Sequence, residues 1–122
     1  MTTKTDQTAK NPLESIIGKQ LSAVVFIQDY VQLQFDGAGL TAVTLPTVQV
    51  GEKKFSWGMS GYRDALCERI GKLVKAASVT EGQEIRIDFD DGAAIASSLK
   101  DEDYQTAEAA VFYNGPKETW VW

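Results

Sequence analysis

The chain of 122 residues contains no histidine and one cysteine, Cys67. Without histidine, neither Ser–His–Asp nor Cys–His machinery can be built, and the commonest nitrogen ligand for metals is gone. A lone cysteine excludes an internal disulfide and, with histidine missing, a standard zinc site. Long apolar runs are also lacking: Ala23–Ile27 is five residues long, against about 20 for a membrane helix. No apolar h-region opens the chain. These absences lead us to expect a cytoplasmic protein with no cofactor, no metal and no membrane partner.

Charge of one sign is scarce where the other is dense. Seventeen acidic residues oppose 12 basic ones, for a net charge of −5. Nine of the acids lie between Glu81 and Glu108, where only Arg86 and Lys100 offset them. Such a field repels nucleic acid and attracts basic partners. Acidity also keeps small proteins soluble, so charge alone selects no function.

What is present is one domain's worth of pattern. A chain of this length buries about two thirds of its unfolded surface. Residues 1–11 read as a flexible tail and 12–122 as a single α+β domain. Gly61 to Ala77 carries apolar residues at helical spacing: Tyr62, Leu66, Ile70, Leu73, Val74 and Ala77. A long helix capped by Ser60 is expected there, with Cys67 a buried thiol beside the stripe and Arg69, Lys72 and Lys75 on the solvated side. A short helix is expected at the start, where Asn11 caps, Pro12 opens and Glu14 follows.

The rest alternates at period two. Lys19 to Asp36 reads as a hairpin about Asp29-Tyr30, with a first strand apolar on both faces and therefore central or at a sheet closure. The next turn is Asp36-Gly37-Ala38-Gly39, and Leu40–Leu45 returns beside Phe35. Thr47 to Gly58 reads as an irregular connection holding at most one short strand. For Glu84 to Leu99 a three-residue loop, Asp90-Asp91-Gly92, keeps the apolar faces together by pairing Phe89 with Ala93, Ile87 with Ile95 and Ile85 with Ser97. Asp101 to Tyr104 reads as one helical turn capped by Asp101. Val111–Tyr113 and Trp120–Trp122 read as closing strands about Asn114-Gly115-Pro116. The fold expected is α+β: a half-barrel-like antiparallel sheet of about six strands on one long helix.

Chemistry-bearing constellations are few. Asp88, Asp90, Asp91 and Gly92 lack EF-hand spacing, and turn chemistry accounts for them. Nothing marks a pocket around these acids for general acid and base work, and no catalytic residue is assigned. Trp57, Trp120 and Trp122 suit core or sheet-edge packing, although an exposed tryptophan can anchor a partner.

The blocks Ile17-Gly18-Lys19, Gln28 to Gly37, Gly61 to Cys67, Ile70-Gly71-Lys72, Phe89 to Gly92, Ser98-Leu99 and Glu102-Asp103-Tyr104 resemble a group of small bacterial proteins. Some of these are similar to immunity proteins of contact-dependent growth inhibition and related toxin systems. The resemblance covers most of the chain from Ile16 onward, through turns and core residues, and carries over no catalytic position. It implies a cytoplasmic protein, not an enzyme, that binds and blocks one cognate toxin domain, often a basic nuclease. The acidic set Glu84, Asp88, Asp90, Asp91, Asp101, Glu102 and Asp103 is then the expected partner-binding surface. The alternative function is a small-molecule binding module using the concave face of the sheet.

Overall fold

The computed structural model describes residues 11–104, 106–115 and 118–122. Apart from Asn11, the expected tail lies outside the described residues, as do Pro116 and Lys117 of the last turn. Asn11 belongs to the domain. Its side-chain oxygen accepts from the Leu13 N–H at 3.1 Å and opens a 3₁₀ turn, Pro12–Ile16. That turn buries Leu13 and Ile16 and leaves Ile17 exposed.

The described residues form two antiparallel five-stranded sheets. The first has the order β1-β2-β3-β9-β10, from Ala23–Ile27, Tyr30–Phe35, Ala38–Ala42, Ala110–Asn114 and Thr119–Val121. The second has the order β5-β4-β8-β7-β6, from Lys53–Phe55, Thr47–Val50, Ala94–Ser98, Glu84–Phe89 and Val74–Thr80. Val31, Leu33, Phe35, Leu40 and Phe112 of the first sheet share one core with Val48, Ile85, Ile87, Phe89 and Ile95 of the second. The fold is thus mostly β with one short helix, rather than one half-barrel on a long helix. The connection after Pro46 is a hairpin, β4–β5, not an irregular segment with a single strand.

The long helix is the main correction. Helix α1 covers only Tyr62–Cys67 and buries Tyr62, Ala65 and Leu66. Its N-cap is Gly61 at φ 89°, not Ser60. Gly71 at φ 90° sits in the turn that leads to β6. The apparent stripe continued because β6 carries a bulge: Val74 opposes Phe89 and Ala76 opposes Asp88, with Lys75 the extra residue. The bulge puts Val74 and Ala77 on the same buried face three positions apart, which imitates a helical repeat. Ile70 and Leu73, in between, are 43% and 41% exposed. Cys67 is exposed, not buried.

Turn chemistry explains the hairpins. Asp36 and Gly37, at φ 30° and 94°, make a two-residue turn between Phe35 and Ala38, tighter than the expected four-residue turn. In β1–β2 the loop is Gln28-Asp29, because Ile27 pairs with Tyr30. The expected Asp29-Tyr30 loop kept the same faces, so alternation could not separate the two registers. Tyr30 is better placed in a strand than in a turn. The β1 strand is the outer strand of its sheet, and its lead-in crosses to the other one. Gly18 donates to the Val74 carbonyl at 2.8 Å and Gly71 to the Leu21 carbonyl at 2.8 Å.

The β7–β8 hairpin has the expected register, with Ile87 on Ile95 and Ile85 on Ser97. Phe89 donates to the Ala93 carbonyl at 2.8 Å, and Gly92 has φ 91°. At the C-terminus β9 pairs with β10, Phe112 facing Trp120. The Trp122 carbonyl accepts from the Ala109 and Ala110 N–H groups and its own N–H donates to the Ala110 carbonyl, which fixes this residue.

Candidate functional site

The acidic residues singled out in the sequence do not form one surface. They divide between the two ends of β7, which a strand rise of about 3.3 Å per residue puts roughly 20 Å apart. At the β7–β8 turn lie Asp88, Asp90 and Asp91. At the other end lie Glu84 and the 3₁₀ turn Asp101–Asp103, brought beside the β6–β7 turn by the Leu99 N–H bond to the Gln83 carbonyl at 2.9 Å.

The turn end is largely neutralised. Asp91 meets Arg69, whose Nη1 donates to both carboxylate oxygens at 2.6 and 2.8 Å. Asp91 Oδ1 also accepts from the Ala93 N–H at 3.1 Å. Arg69 is 3% exposed, and its guanidinium lies 5.7 Å from the centre of the Phe89 ring. It is a buried structural cation, not the solvated helix residue expected. The hydrogen bond from Arg69 holds the Asp91 carboxyl below the usual aspartate range, against a smaller opposing effect of burial. Asp88 accepts from Arg86 Nε at 3.1 Å, an ion pair on the sheet surface. Only Asp90 stays exposed there with no cation in ion-pair contact among the described residues.

The opposite end keeps its charge. Glu84 is half-buried at the start of β7, and Asp101 and Glu102 are exposed. None of the three forms an ion pair among the described residues. Asp103 accepts from the Ser98 hydroxyl at 2.6 Å, and Ser98 in turn accepts from the Lys100 N–H at 3.1 Å. This serine, not Asp101, orders the turn, whose N-cap is Lys100. Glu81 adds a carboxylate at the same end, where it accepts from the Trp122 indole at 3.2 Å.

Arg69 is the residue that the sequence reading misplaced, although a signal was there. Tyr62, Leu66 and Arg69 stand at i, i+4 and i+7, so helical spacing itself put Arg69 on the buried face. The acidic run at 88–91 supplied its partner.

The described residues contain no group of three or more cysteine or acidic side chains arranged to hold a metal ion. No helix among them is long and apolar enough to cross a membrane. Comparison of the chain with protein-family models, curated proteins and solved structures finds no match.

Proposed function

We propose that the chain is an immunity protein that binds a cognate toxin domain and neutralises it in the cytoplasm by steric and electrostatic occlusion, without catalysis. The observation that carries this is the uncompensated acidic end of β7, where Glu84, Asp101 and Glu102 lack cationic partners among the described residues. A basic nuclease suits such a surface, since complementary charge speeds encounter and penalises wrong partners. Asp88 and Asp91 are committed to Arg86 and Arg69, so the contact set narrows to Glu84, Asp101, Glu102 and Asp103, with Asp90 at the far end. The inner faces of both sheets are filled by the common core, which favours a protein-binding role over a ligand held on a concave sheet face.

The test is titration of whatever toxin domain is found encoded beside this chain with the parent and with Glu84→Lys/Asp101→Lys/Glu102→Lys. Rim charges act mostly on association rate and salt dependence. The triple variant should bind orders of magnitude more weakly at low salt and approach the parent at high salt. Equal affinity and equal salt slopes would show that this end only solubilises the protein.

A further inference from the structure

One basic stretch of the chain lies away from both acidic ends. Between residues 53 and 63 stand Lys53, Lys54 and Arg63, with no acid among them. The loop joining β5 to α1 carries Trp57 and Met59, which are 44% and 50% exposed. The Arg63 guanidinium is held between two rings, 5.2 Å from the centre of Trp57 and 6.0 Å from that of Phe26. It makes no ion pair with a described carboxylate.

This arrangement is built rather than loose. The buried Tyr62 hydroxyl donates to the Pro46 carbonyl at 2.7 Å, and Trp57 packs edge-on against Tyr62 with centroids 5.8 Å apart. Met59 and Tyr62 donate back along the loop to the Ser56 and Met59 carbonyls, and Gly58 and Gly61 supply the positive φ these turns require. The loop encloses an open hollow of about 650 Å³, lined by Trp57, Met59, Tyr62, Arg63 and the carboxylate-bearing Asp64 among others.

We infer that this loop is a second docking surface, which takes an acidic protein segment carrying an apolar side chain next to a carboxylate. The apolar side chain fills the hollow against Trp57 and Met59, and the carboxylate meets the Arg63 fork. A guanidinium already oriented by two rings has little freedom left to lose and presents parallel N–H donors that fit a carboxylate in bidentate fashion. Tryptophan, methionine and arginine are the residues enriched at such contacts. Arg63 has no ion-pair partner among the described residues, and with Lys53 and Lys54 it outnumbers the flanking Glu52 and Asp64, which favours an acidic partner. This surface is separate from the acidic end of β7, and either can fail while the other stands.

The probe is the peptide acetyl-Gly-Leu-Glu-Leu-Gly-amide, titrated into the isotope-labelled full chain and followed by NMR. The glutamine counterpart is the control. The Trp57 indole, Met59 methyl and Arg63 Nε–H signals should move with the glutamate peptide, with a Kd near the millimolar range, and the glutamine peptide should bind about tenfold more weakly. Arg63→Gln should abolish that difference, Arg63→Lys should restore it only in part, and Met59→Ser should weaken both peptides. Both substituted positions are exposed, and an unchanged spectrum elsewhere verifies folding. Equal response to the two peptides, or signal changes confined to other regions, would overturn the assignment. So would tighter binding of a thymidine oligonucleotide, or concentration-dependent self-association lost in Arg63→Gln, which would make the occupant a nucleic acid or the acidic end of a second copy.

Discussion

Removing the Asp91 carboxylate tests whether charge holds the tip of the β7–β8 hairpin. In Asp91→Ala the Arg69 guanidinium loses both anionic contacts, at 2.6 and 2.8 Å, yet stays covered by Phe89. Breaking one side of a fully enclosed pair costs about 3–5 kcal/mol, because the other charge is left unpaired. The Asp91 side chain is 32% exposed, so water entering its place hydrates the guanidinium in part. A loss of about 2–3 kcal/mol is therefore expected, or roughly 10 °C in Tm for a domain of this size. Arg69→Met should cost less, since the remaining aspartate keeps the Ala93 N–H and its access to water. The double variant should be more stable than the sum of the single effects, with a coupling of about 2 kcal/mol. The pH dependence has a fixed sign. Arg69 lowers the folded pKa of Asp91 from its ordinary 3.8. The contribution is complete above that value and disappears as pH falls through the lower folded pKa, so as pH falls below 3.8 the parent should lose more stability than Asp91→Ala. Urea melts across that range measure all of this. A single variant within about 0.5 kcal/mol of the parent, or strictly additive effects, would refute a buried cation held by Asp91.

Leu66→Ala should cost about 2–5 kcal/mol through the cavity it leaves, whereas Ile70→Ala should stay within about 1 kcal/mol because half of that side chain already meets water. Denaturant melts showing equal losses would mean that α1 continues past Cys67. Tyr62→Phe should cost about 1–2 kcal/mol by leaving the buried Pro46 carbonyl without its donor, again read from melts. Burial pushes the Tyr62 phenol up to about 12. Its contribution is full below the unfolded value of 10 and falls as pH rises toward 12, and ultraviolet titration of the parent against Tyr62→Phe should find the Tyr62 phenol still protonated at about pH 11. Deleting residues 120–122 removes β10, the Trp120 contact with Phe112 and the Trp122 backbone bonds, and should lower Tm by at least about 10 °C. A truncated protein with an unchanged melting curve would show the strand to be an appendage.

Where local chemistry determines geometry, the chain was legible. The three-residue loop at Asp90-Asp91-Gly92 followed from the requirement that Phe89, Ile87 and Ile85 share a face, and the Asn11-Pro12 start followed from capping rules. Alternation failed wherever two registers satisfy it equally, as at Gln28-Asp29-Tyr30. It also failed where an extra residue resets the phase: Lys75 in its bulge turned a strand into an imitation helix and concealed that Ile70 and Leu73 face outward. The acidic site was legible only as composition. Which carboxylates are free depends on Arg69 and Arg86, and Arg69 and Asp91, 22 positions apart, carry no local signal of their pairing.

The nesting of one sheet within the other bears on how the protein is made. All strands of the second sheet come from residues 47–98, while the first is assembled from both ends of the chain. Leu40 must wait for Phe112, 72 positions later (112 − 40), before β3 gains its second neighbour. Contacts of such separation fold slowly, on a scale of about milliseconds to seconds. During synthesis the second sheet can therefore form first, with the β3 edge open until the last residues arrive. An incomplete chain exposes a glycine-containing edge strand and half of a hydrophobic core, the combination that favours strand-to-strand aggregation. A ribosome stalled before residue 110 would thus release an aggregating species rather than a weakened domain.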